Sequence, residues 1–580
     1  MRIVVFLTCF LVPWSVSAQV AIHVEQPMTP PAWALLERAV LKANADGARE
    51  FAGKYLDDRG FLRCIERWGG LDGPDDAMEN FWNWTLAHAL GSPDIILSLY
   101  DRAWEGHLQQ YTKARVKGIP MAESGMYYRE FVTSFDWEHN GEGLSAFHFY
   151  SLCRPQDPVY RKRLLRYAGF YTGEDPEAQN YDRARKIIRS LHNGSRGPKL
   201  TPATPMDWGG EAVPGDTERH ENYKTAANIV GDHPLNLCAA TLGMNAYMLT
   251  QDKKYRDWLI EYVGAWRERV EQNGGNIPTN IGLDGRIGGE WGGKWYGGVF
   301  GWNFWPQTGS RNYYIRGPRM SFGEAFMLTK DERFIDAMRH QIDNLYAAKK
   351  VENGRILLPN KYGDNGWYGY SRDTHSDVQR DIYLWSMNPK DMDRIASDPW
   401  ISYLEGRNPD YPAQALGREL DGIRRRVKGL RDDPSTPDTR GSDYSQGFNP
   451  VATDALTNLT AGGNDPGSSG NILHSRVRYF DPARRRAGLP EDVAALVEKI
   501  RPADIVLTLV NTNPVDGREL IVQMGAYGEH HSTSISLGDR NISVDSPLFR
   551  VRLAPGAGAS MTIRMNRYTH TPSLAFPWDR

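Results

Sequence analysis

Twice in this chain a run of large apolar residues falls on one face of a helix and leaves the other face to charge. Tyr255, Trp258, Leu259, Tyr262, Val263 and Trp266 follow the i, i+3, i+4, i+7, i+8, i+11 spacing, and Phe334, Ala337, Met338, Ile342, Leu345 and Tyr346 repeat the stripe. An apolar face of that width must be covered by another element, so the chain has to be built by helix packing. Weaker versions of the pattern predict helices over 31–56, 81–90, 94–111, 158–171 and 182–191. In all, roughly ten to twelve helices arrive between Ala32 and Leu430, about one every thirty residues, separated by loops carrying Gly, Pro, Asp and Trp. No self-similarity of short period supports a solenoid. Helical hairpins with long loops predict an (α/α) toroid, whose loops at one end of the inner helices line a cleft; an irregular bundle or superhelix is the alternative.

Residues 1–18 have the form of a secretory signal peptide, with Arg2 ahead of an apolar run and a small-residue end at Val16-Ser17-Ala18. That run is too short to span a bilayer and no later stretch approaches the roughly twenty apolar residues required. The expectation is a secreted or periplasmic protein without a membrane span. Beyond the signal the cysteines are Cys64, Cys153 and Cys238, none in a metal-ligand spacing, so no metal and no cofactor is expected.

The toroid is expected over 19–430. The stretch 431–475 is rich in Gly, Ser, Pro, Thr and Asp and reads as a loop or linker. Over 476–580 the period becomes two: Ile505, Leu507 and Leu509 alternate with Val506, Thr508 and Val510, and Asp516-Gly517 signals a turn before Leu520, Val522 and Met524. A small antiparallel β-sandwich follows, and the Phe576-Pro577-Trp578 tail is expected to pack back against another surface in a stability role.

A formal net charge of −2 with no basic block argues against nucleic acid as a partner. The excess is in aromatic residues and glycine, with 18 Trp, 28 Tyr and 57 Gly. Rings on glycine-rich loops suit sugars, whose C–H faces pack on aromatic planes while hydroxyls bond to polar neighbours. A polysaccharide or oligosaccharide is therefore the expected partner; the sequence leaves the oligomeric state open.

Chemistry concentrates in a few loops. Ser134 to Leu144 holds Asp136, Glu138, His139 and Glu142 ahead of an apolar run that reads as a helix start. Asp75 and Asp76 also precede a helix, where a capping role competes with a chemical one. Asp207 and Trp208 lie in a third segment, and Arg219, His220, Asn222, Tyr223, Asp232 and His233 crowd within fifteen residues. From Asn280 to Trp302 glycines alternate with Glu290, Trp291, Lys294, Trp295, Tyr296 and Trp302, outside any nucleotide-binding context. There the rings read as sugar platforms and Lys294 as a partner for an anion. Asn360 to Tyr370 is similar but less charged.

Two reactions fit. Glycoside hydrolysis needs a proton-donating carboxyl and a second carboxylate as nucleophile or base, for which Asp136, Glu142, Asp207 and Asp232 are candidates. β-Elimination on a uronate needs neutralisation of the sugar carboxylate, a base and an acid; Arg219 or Asn222, with His139, His220 or His233 and Tyr223 or Tyr296, supply those types. A glycan-binding protein without catalysis is the third reading.

Asp72-Gly-Pro-Asp-Asp-Ala-Met-Glu-Asn80, Asp136-Trp-Glu-His-Asn-Gly-Glu-Gly143, Asn180-Tyr-Asp182 and Gly194-Ser-Arg-Gly-Pro198 resemble secreted bacterial six-hairpin carbohydrate-active enzymes of the β-glucuronidase type. The resemblance implies an (α/α)6 toroid followed by a β-sandwich, and removal of uronic acid from polysaccharide. Toroidal polysaccharide lyases share the architecture, but they spread Asn, His, Tyr and Arg over several loops, whereas Arg219 to Tyr223 crowd into one.

Overall fold

A computed structural model describes residues 20–64, 77–113, 144–174, 180–189, 231–289, 292–296, 316–468 and 470–580. The helices are α1 (Ala32–Tyr55), α2 (Trp84–Leu90), α3 (Ile95–Lys113), α4 (Ser145–Cys153), α5 (Pro158–Thr172), α6 (Ala240–Thr250), α7 (Lys253–Gln272), α8 (Arg316–Thr329), α9 (Arg333–Ala347), α10 (Ser376–Ser386), α11 (Pro399–Leu404), α12 (Tyr411–Asp432) and α13 (Asp454–Leu456). The last runs on into a π turn at Thr457–Ala461.

Two kinds of helix alternate. The seven residues of α2 and the nine of α4 are all buried, and α6 is buried over Ala240–Met248, so these helices are covered on every side. The longer α1, α7, α9 and α12 bury one stripe and expose the rest. Short helices pack in the succession α2–α4–α6–α8, while α7 packs on both α5 and α9. The first long helix, α1, lies along the last, α12, and also meets α3.

The sheets are mostly C-terminal. Small ones come first: β2 (Tyr181–Asp182) with β3 (Ile187–Ile188), then β4 (Lys350–Glu352), β5 (Arg355–Gly363) and β6 (Gly366–Ser371). The C-terminal strands are β7 (Val477–Asp481), β8 (Arg486–Ala487), β9 (Val493–Ile500), β10 (Asp504–Asn511), β11 (Arg518–Met524), β12 (His531–Leu537), β13 (Arg540–Ser546), β14 (Leu548–Leu553) and β15 (Gly558–Asn566). With β1 (Ala21–Val24) they form two five-stranded sheets, ordered β1-β14-β11-β7-β8 and β13-β12-β15-β10-β9. The tail packs back as expected, and the surface it meets is the sheet itself: Phe576 and Trp578 lie on Phe480, ring centroids 5.1 and 5.9 Å away.

Three expectations are corrected. Residues 431–475 are no linker: Val451, Ala455, Leu456 and Leu459 are buried, and α13 packs on α12 as a further short helix. Its apolar positions are few, and the surrounding Gly, Asp and Ser hide them. The expected helix over 182–191 is instead the β2–β3 hairpin, reversed through Lys186 at φ 53°. The N-terminal segment does not belong wholly to the helical part, because β1 pairs in parallel with β14 from Ala21↔Arg550 to Val24↔Leu553.

The β-domain covers one end of the short helices with arginine. Arg486 donates to His88 O in α2 at 3.0 Å and to Ser92 O at 2.8 Å. Arg478 donates to Leu152 O in α4, and Arg476 to Leu384 O in α10. Arg567 donates to Trp385 O and Ser386 O, at 2.7 and 3.1 Å. The last carbonyls of a helix lack partners within it and carry the negative end of its dipole, so buried guanidinium groups satisfy both demands at once. This closes the carboxyl ends and leaves the amino ends for any site.

Candidate functional site

Arg319, in the first turn of α8, is the fixed point at the amino ends. Its Nε donates to Asp381 Oδ2 at 2.5 Å and its Nη1 to Asp377 Oδ2 at 2.7 Å, tying α8 to the start of α10. Asn464 donates to Asp381 Oδ1 at 2.8 Å and to Asp377 O at 3.0 Å, bringing in the segment after α13. Asp381 is thus a buried, fully engaged anchor, whereas the Asp377 side chain is 47% exposed. Burial disfavours the Asp377 charge, but Arg319, the Val378 N–H, Arg380 and His375 together outweigh it and hold this carboxyl below its ordinary range.

These groups border a cavity of about 550 Å³ that also takes in Trp82, Tyr411, Glu419, Asp454 and Asp465. Asp465 accepts from Thr453 Oγ1 at 2.7 Å and from Gly467 N at 2.8 Å. Withdrawal from water raises it to about 6, with repulsion from Asp454 adding to the effect. Glu419 accepts from Ala455 N at 2.6 Å through Oε1, but its Oε2 is buried without a hydrogen-bond partner. Burial lifts it to about 8, reinforced by Asp454 and Asp465. Of the four carboxyls at the cavity, Glu419, Asp465 and Asp454 are raised and Asp377 is lowered, the kind of separation that distinguishes acid from base. Arg418, Arg425 and Arg426 on α12 also border it, and none has an ion pair among the described residues.

A second assembly leads into the same helices. The β5–β6 hairpin ends at Ser371, five residues before α10, and the 292–296 segment precedes α8. Trp295 lies 4.5 Å from Tyr362 and 6.2 Å from Trp367, Tyr296 lies 5.0 Å from Tyr362, and Tyr362 lies 4.8 Å from Trp367. All four rings are partly exposed. Asp364, at the hairpin turn, accepts from Lys294 Nζ at 2.7 Å and from Tyr296 OH at 2.6 Å. The bond to Asp364 pushes the Tyr296 phenol up to about 12. Between this hairpin and α10, His375 stands at φ 54°, a conformation that costs a non-glycine residue roughly 1–3 kcal/mol and tends to occur at functional sites.

Of the residues singled out from sequence, Lys294, Trp295 and Tyr296 come together in this platform. Lys294 is paired with Asp364 and does not present an unpaired ammonium to an anion. Asp232 is buried, and its carboxylate accepts from Ile188 N, His233 N, Asn236 Nδ2, Tyr262 OH and Trp266 Nε1, at 2.8–3.3 Å. Burial nevertheless raises it to about 6, opposed by the Asn236 bond and the Arg269 charge. With five donors on two oxygens it is a knot, and it supports the platform: its backbone exchanges hydrogen bonds with Ile281, Thr279 donates to Trp295 O and Asn280 to Tyr296 O. Asp136, His139, Glu142, Asp207, Trp208, Arg219, His220, Asn222, Tyr223, Glu290, Trp291 and Trp302 lie outside the described residues.

A family profile described as "Domain of unknown function (DUF8034)" matches residues 21–212, 214–371 and 395–457. The chain belongs to the DUF8034 family. The DUF8034 match includes Arg319 and the β5–β6 hairpin, whereas Asp377, Asp381 and Asp465 fall outside it. No curated protein matches the chain. Among solved structures it is similar to a glycoside hydrolase family 76 mannosidase from Bacteroides thetaiotaomicron, at 10% identity over 71% of this chain and 98% of that one, with a TM-score of 0.34. An inactive variant of an α-1,6-mannanase from Salegentibacter sp. HEL1_6, in complex with α-1,6-mannotriose, gives 12% identity over 73% and 99% of the chains and a TM-score of 0.35. A GH127 β-arabinofuranosidase gives 10% identity over 94% and 81%, with a TM-score of 0.32. At these TM-scores the likeness assigns neither reaction nor substrate to a DUF8034 chain.

The residues that sequence reasoning missed are Arg319, Asp377, Glu419 and Asp465. Arg319 and Glu419 sit inside helices, where a charge reads as solvated surface, and Asp465 lies in the stretch taken for a linker. A usable signal was present in Asp377 and Asp381, an i, i+4 acidic pair opening a helix.

Proposed function

We propose that this protein is an exported glycoside hydrolase built on an (α/α)6 toroid and acting on a uronic-acid-containing polysaccharide. Among the described residues the long helices α1, α3, α5, α7, α9 and α12 interleave with shorter ones, with α10 and α11 both falling between α9 and α12, and α1 lies along α12; this supports the toroid. The reaction rests on one observation: Asp465 and Glu419 are lifted while Asp377, beside Arg319, is lowered, all bordering one cavity. In this reading Asp465 delivers the proton to the leaving oxygen and Asp377 acts as nucleophile or activates water. Trp295, Tyr296, Tyr362 and Trp367 extend the surface along which sugar rings stack. Uronic acid is the proposed sugar because Arg418, Arg425 and Arg426 offer unpaired guanidinium groups at the cavity, and a planar fork suits a carboxylate.

Asp136 and Glu142 remain the second pair proposed for the acid and base roles, since they precede Ser145, where α4 begins. Purified protein would be incubated with a panel of uronate glycans while reducing ends and ultraviolet absorbance are followed. New reducing ends without absorbance support hydrolysis; a rise in absorbance marks the unsaturated product of elimination and overturns it. Glu142→Gln measured beside Asp465→Asn decides the carboxyls: abolition by the former, with activity kept in the latter, removes Asp465 from the mechanism.

A further inference from the structure

The three unpaired arginines at the candidate site share one face of α12, and the helix treats its other cations differently. Leu416, Leu420, Ile423 and Leu430 are buried on the face turned to the core. Arg424, Lys428 and Arg431 lie off the cavity, and each has its own acid, in Asp421, Asp432 and Glu50. The third face runs turn by turn from Tyr411 through Ala415, Arg418 and Gly422 to Arg425 and Arg426, and all six residues border the cavity of about 550 Å³. Arg418, Arg425 and Arg426 are exposed and have no ion pair among the described residues. Glu419, the acid that α12 brings to the cavity, accepts from Ala455 N instead. The cations left without a counter-charge are therefore those that face the cavity.

Spacing decides what can meet them. Seven residues at a rise of about 1.5 Å each set Arg418 and Arg425 about 10 Å apart along the axis. Helical side chains lean toward the amino end, so the two lean the same way and keep that separation. Arg425 shows the lean: its Nη2 lies 3.8 Å from where a Cβ on Gly422 would stand. Gly422 itself leaves open floor between the two guanidinium groups. One carboxylate therefore engages either Arg418 or the Arg425 and Arg426 pair, and an anion that uses all three carries its charges along a chain.

We infer that this stripe is a row of subsites for a chain of repeated uronic acids. The sugar seated at the cavity gives its carboxylate to Arg418, beside Glu419, and a later sugar of the same chain gives its own to Arg425 and Arg426. This rests on the uronate reading above and narrows it, since a lone uronic acid capping a neutral glycan fills only the inner position. It does not depend on which carboxyls react. An exposed arginine holds a single carboxylate weakly, but two such contacts on one chain reinforce each other, because the second forms at the effective concentration set by the first.

The test is calorimetric titration of the full chain at low ionic strength, where exposed charges are least screened, with the ligand checked for cleavage afterwards. Galacturonic acid, tetragalacturonic acid, glucuronic acid and a hyaluronan tetrasaccharide are the acidic probes; glucose, cellotetraose and a sulfated dextran oligomer are the comparisons. At least one acidic tetrasaccharide is expected to bind about tenfold or more tightly than its own uronic acid monomer. Arg425→Gln combined with Arg426→Gln is expected to cut that gain below about threefold, whereas Arg418→Gln is expected to weaken monomer and oligomer alike. Because all three side chains are exposed, Tm is expected to hold in these variants. Arg424→Gln, off the stripe, is expected to bind as wild type does. A length gain that survives in the double variant, an equal gain for cellotetraose over glucose, or tighter binding of the sulfated oligomer than of either acidic tetrasaccharide each overturns the inference. Uronate binding indifferent to length sinks the row of subsites alone; absence of uronate binding at any length sinks the uronate reading with it.

Discussion

At the carboxyl ends of α2, α4 and α10 the chain lays Arg486, Arg478, Arg476 and Arg567 onto backbone carbonyls, whereas at the amino ends of α8, α10 and α13 it groups Arg319 with Asp377, Asp465 and Glu419. The first set spends its donors on acceptors that would otherwise be buried unsatisfied. The second keeps a carboxylate oxygen of Glu419 without a partner and holds Asp465 partly protonated near neutrality. Buried Glu37 and Glu324 keep an unpartnered oxygen too, and so do the Nε donors of Arg476 and Arg478, so what distinguishes the second set is that its raised and lowered carboxyls border one cavity, as groups that do chemistry must. One end of the helices is finished and the other is poised.

The sharpest way to break the contrast is Asp465→Asn. If the poised end is catalytic, hydrolysis of the active glycan falls by roughly 10²–10⁴-fold, the range expected for loss of a general acid. Tm at pH 7 is expected to hold or rise, because the amide removes a charge that burial disfavours and still accepts from Thr453. Equal turnover in wild type and variant would move the chemistry to Asp136 and Glu142. The finished end is expected to respond in the opposite sense. Arg478→Ala removes the guanidinium donor from Leu152 O, leaves Ala526 O with Gln523 Nε2 alone, and opens a void beside Phe480, at a cost of about 3 kcal/mol in denaturant unfolding. Turnover per folded molecule is expected to stay at the wild-type level.

How far each end was legible follows from the same contrast. The stripes of α7 and α9 could be read because packing imposes a period, and the alternation of β10 because a half-buried strand imposes another. The arginine caps were invisible: Arg476 and Arg478 fall in a strand region, and nothing local says that their acceptors are carbonyls of α10 and α4. The same holds at the poised end, where Arg319 and Asp465 meet only through the closure of α8, α10 and α13. Aromatic loops, by contrast, announced themselves by composition. Lys294, Trp295 and Tyr296 were found that way, although the hairpin that completes their platform was taken for a loop, since Gly363, Gly366 and Gly369 interrupt its alternation.

Stability against pH separates the two ends more gently. Glu419 has a folded value of about 8 against an ordinary value near 4.5, and Asp465 about 6 against 3.8. A carboxyl raised on folding favours the fold while protonated, so this contribution is complete below the ordinary values and is lost as pH rises through about 6 and then 8. Buried Glu37 and Glu324, each raised to about 8 by burial, act in the same direction. Buried His88, His107, His148 and His474, all held below the ordinary value of 6.5 by burial, oppose this up to about pH 6.5, where their penalty ends, so Tm is expected to fall between about pH 6.5 and pH 8. Glu419→Gln is expected to flatten part of that fall, raising Tm at pH 8 by about 1–3 °C. An identical pH profile in the variant would show that Glu419 is ionised in the folded state without cost.

The smallest effect belongs to the platform, where function and stability are expected to part. Asp364 is fully solvated, so its bonds to Lys294 and Tyr296 add little to folding, and Asp364→Asn is expected to leave Tm unchanged. What the pair fixes is direction: the hairpin turn grips both residues that flank Trp295, and with the grip loosened the four rings no longer share one surface. KM for a long glycan is then expected to rise about two- to fivefold at unchanged kcat, while a disaccharide too short to reach the rings shows no change, as expected for a loss of uniform binding. Freed from Asp364, Lys294 regains an unpaired ammonium. Should the variant instead bind uronate oligosaccharides more tightly, the lysine rather than the rings would be the ligand-facing group, and the pairing with Asp364 would be what restrains it.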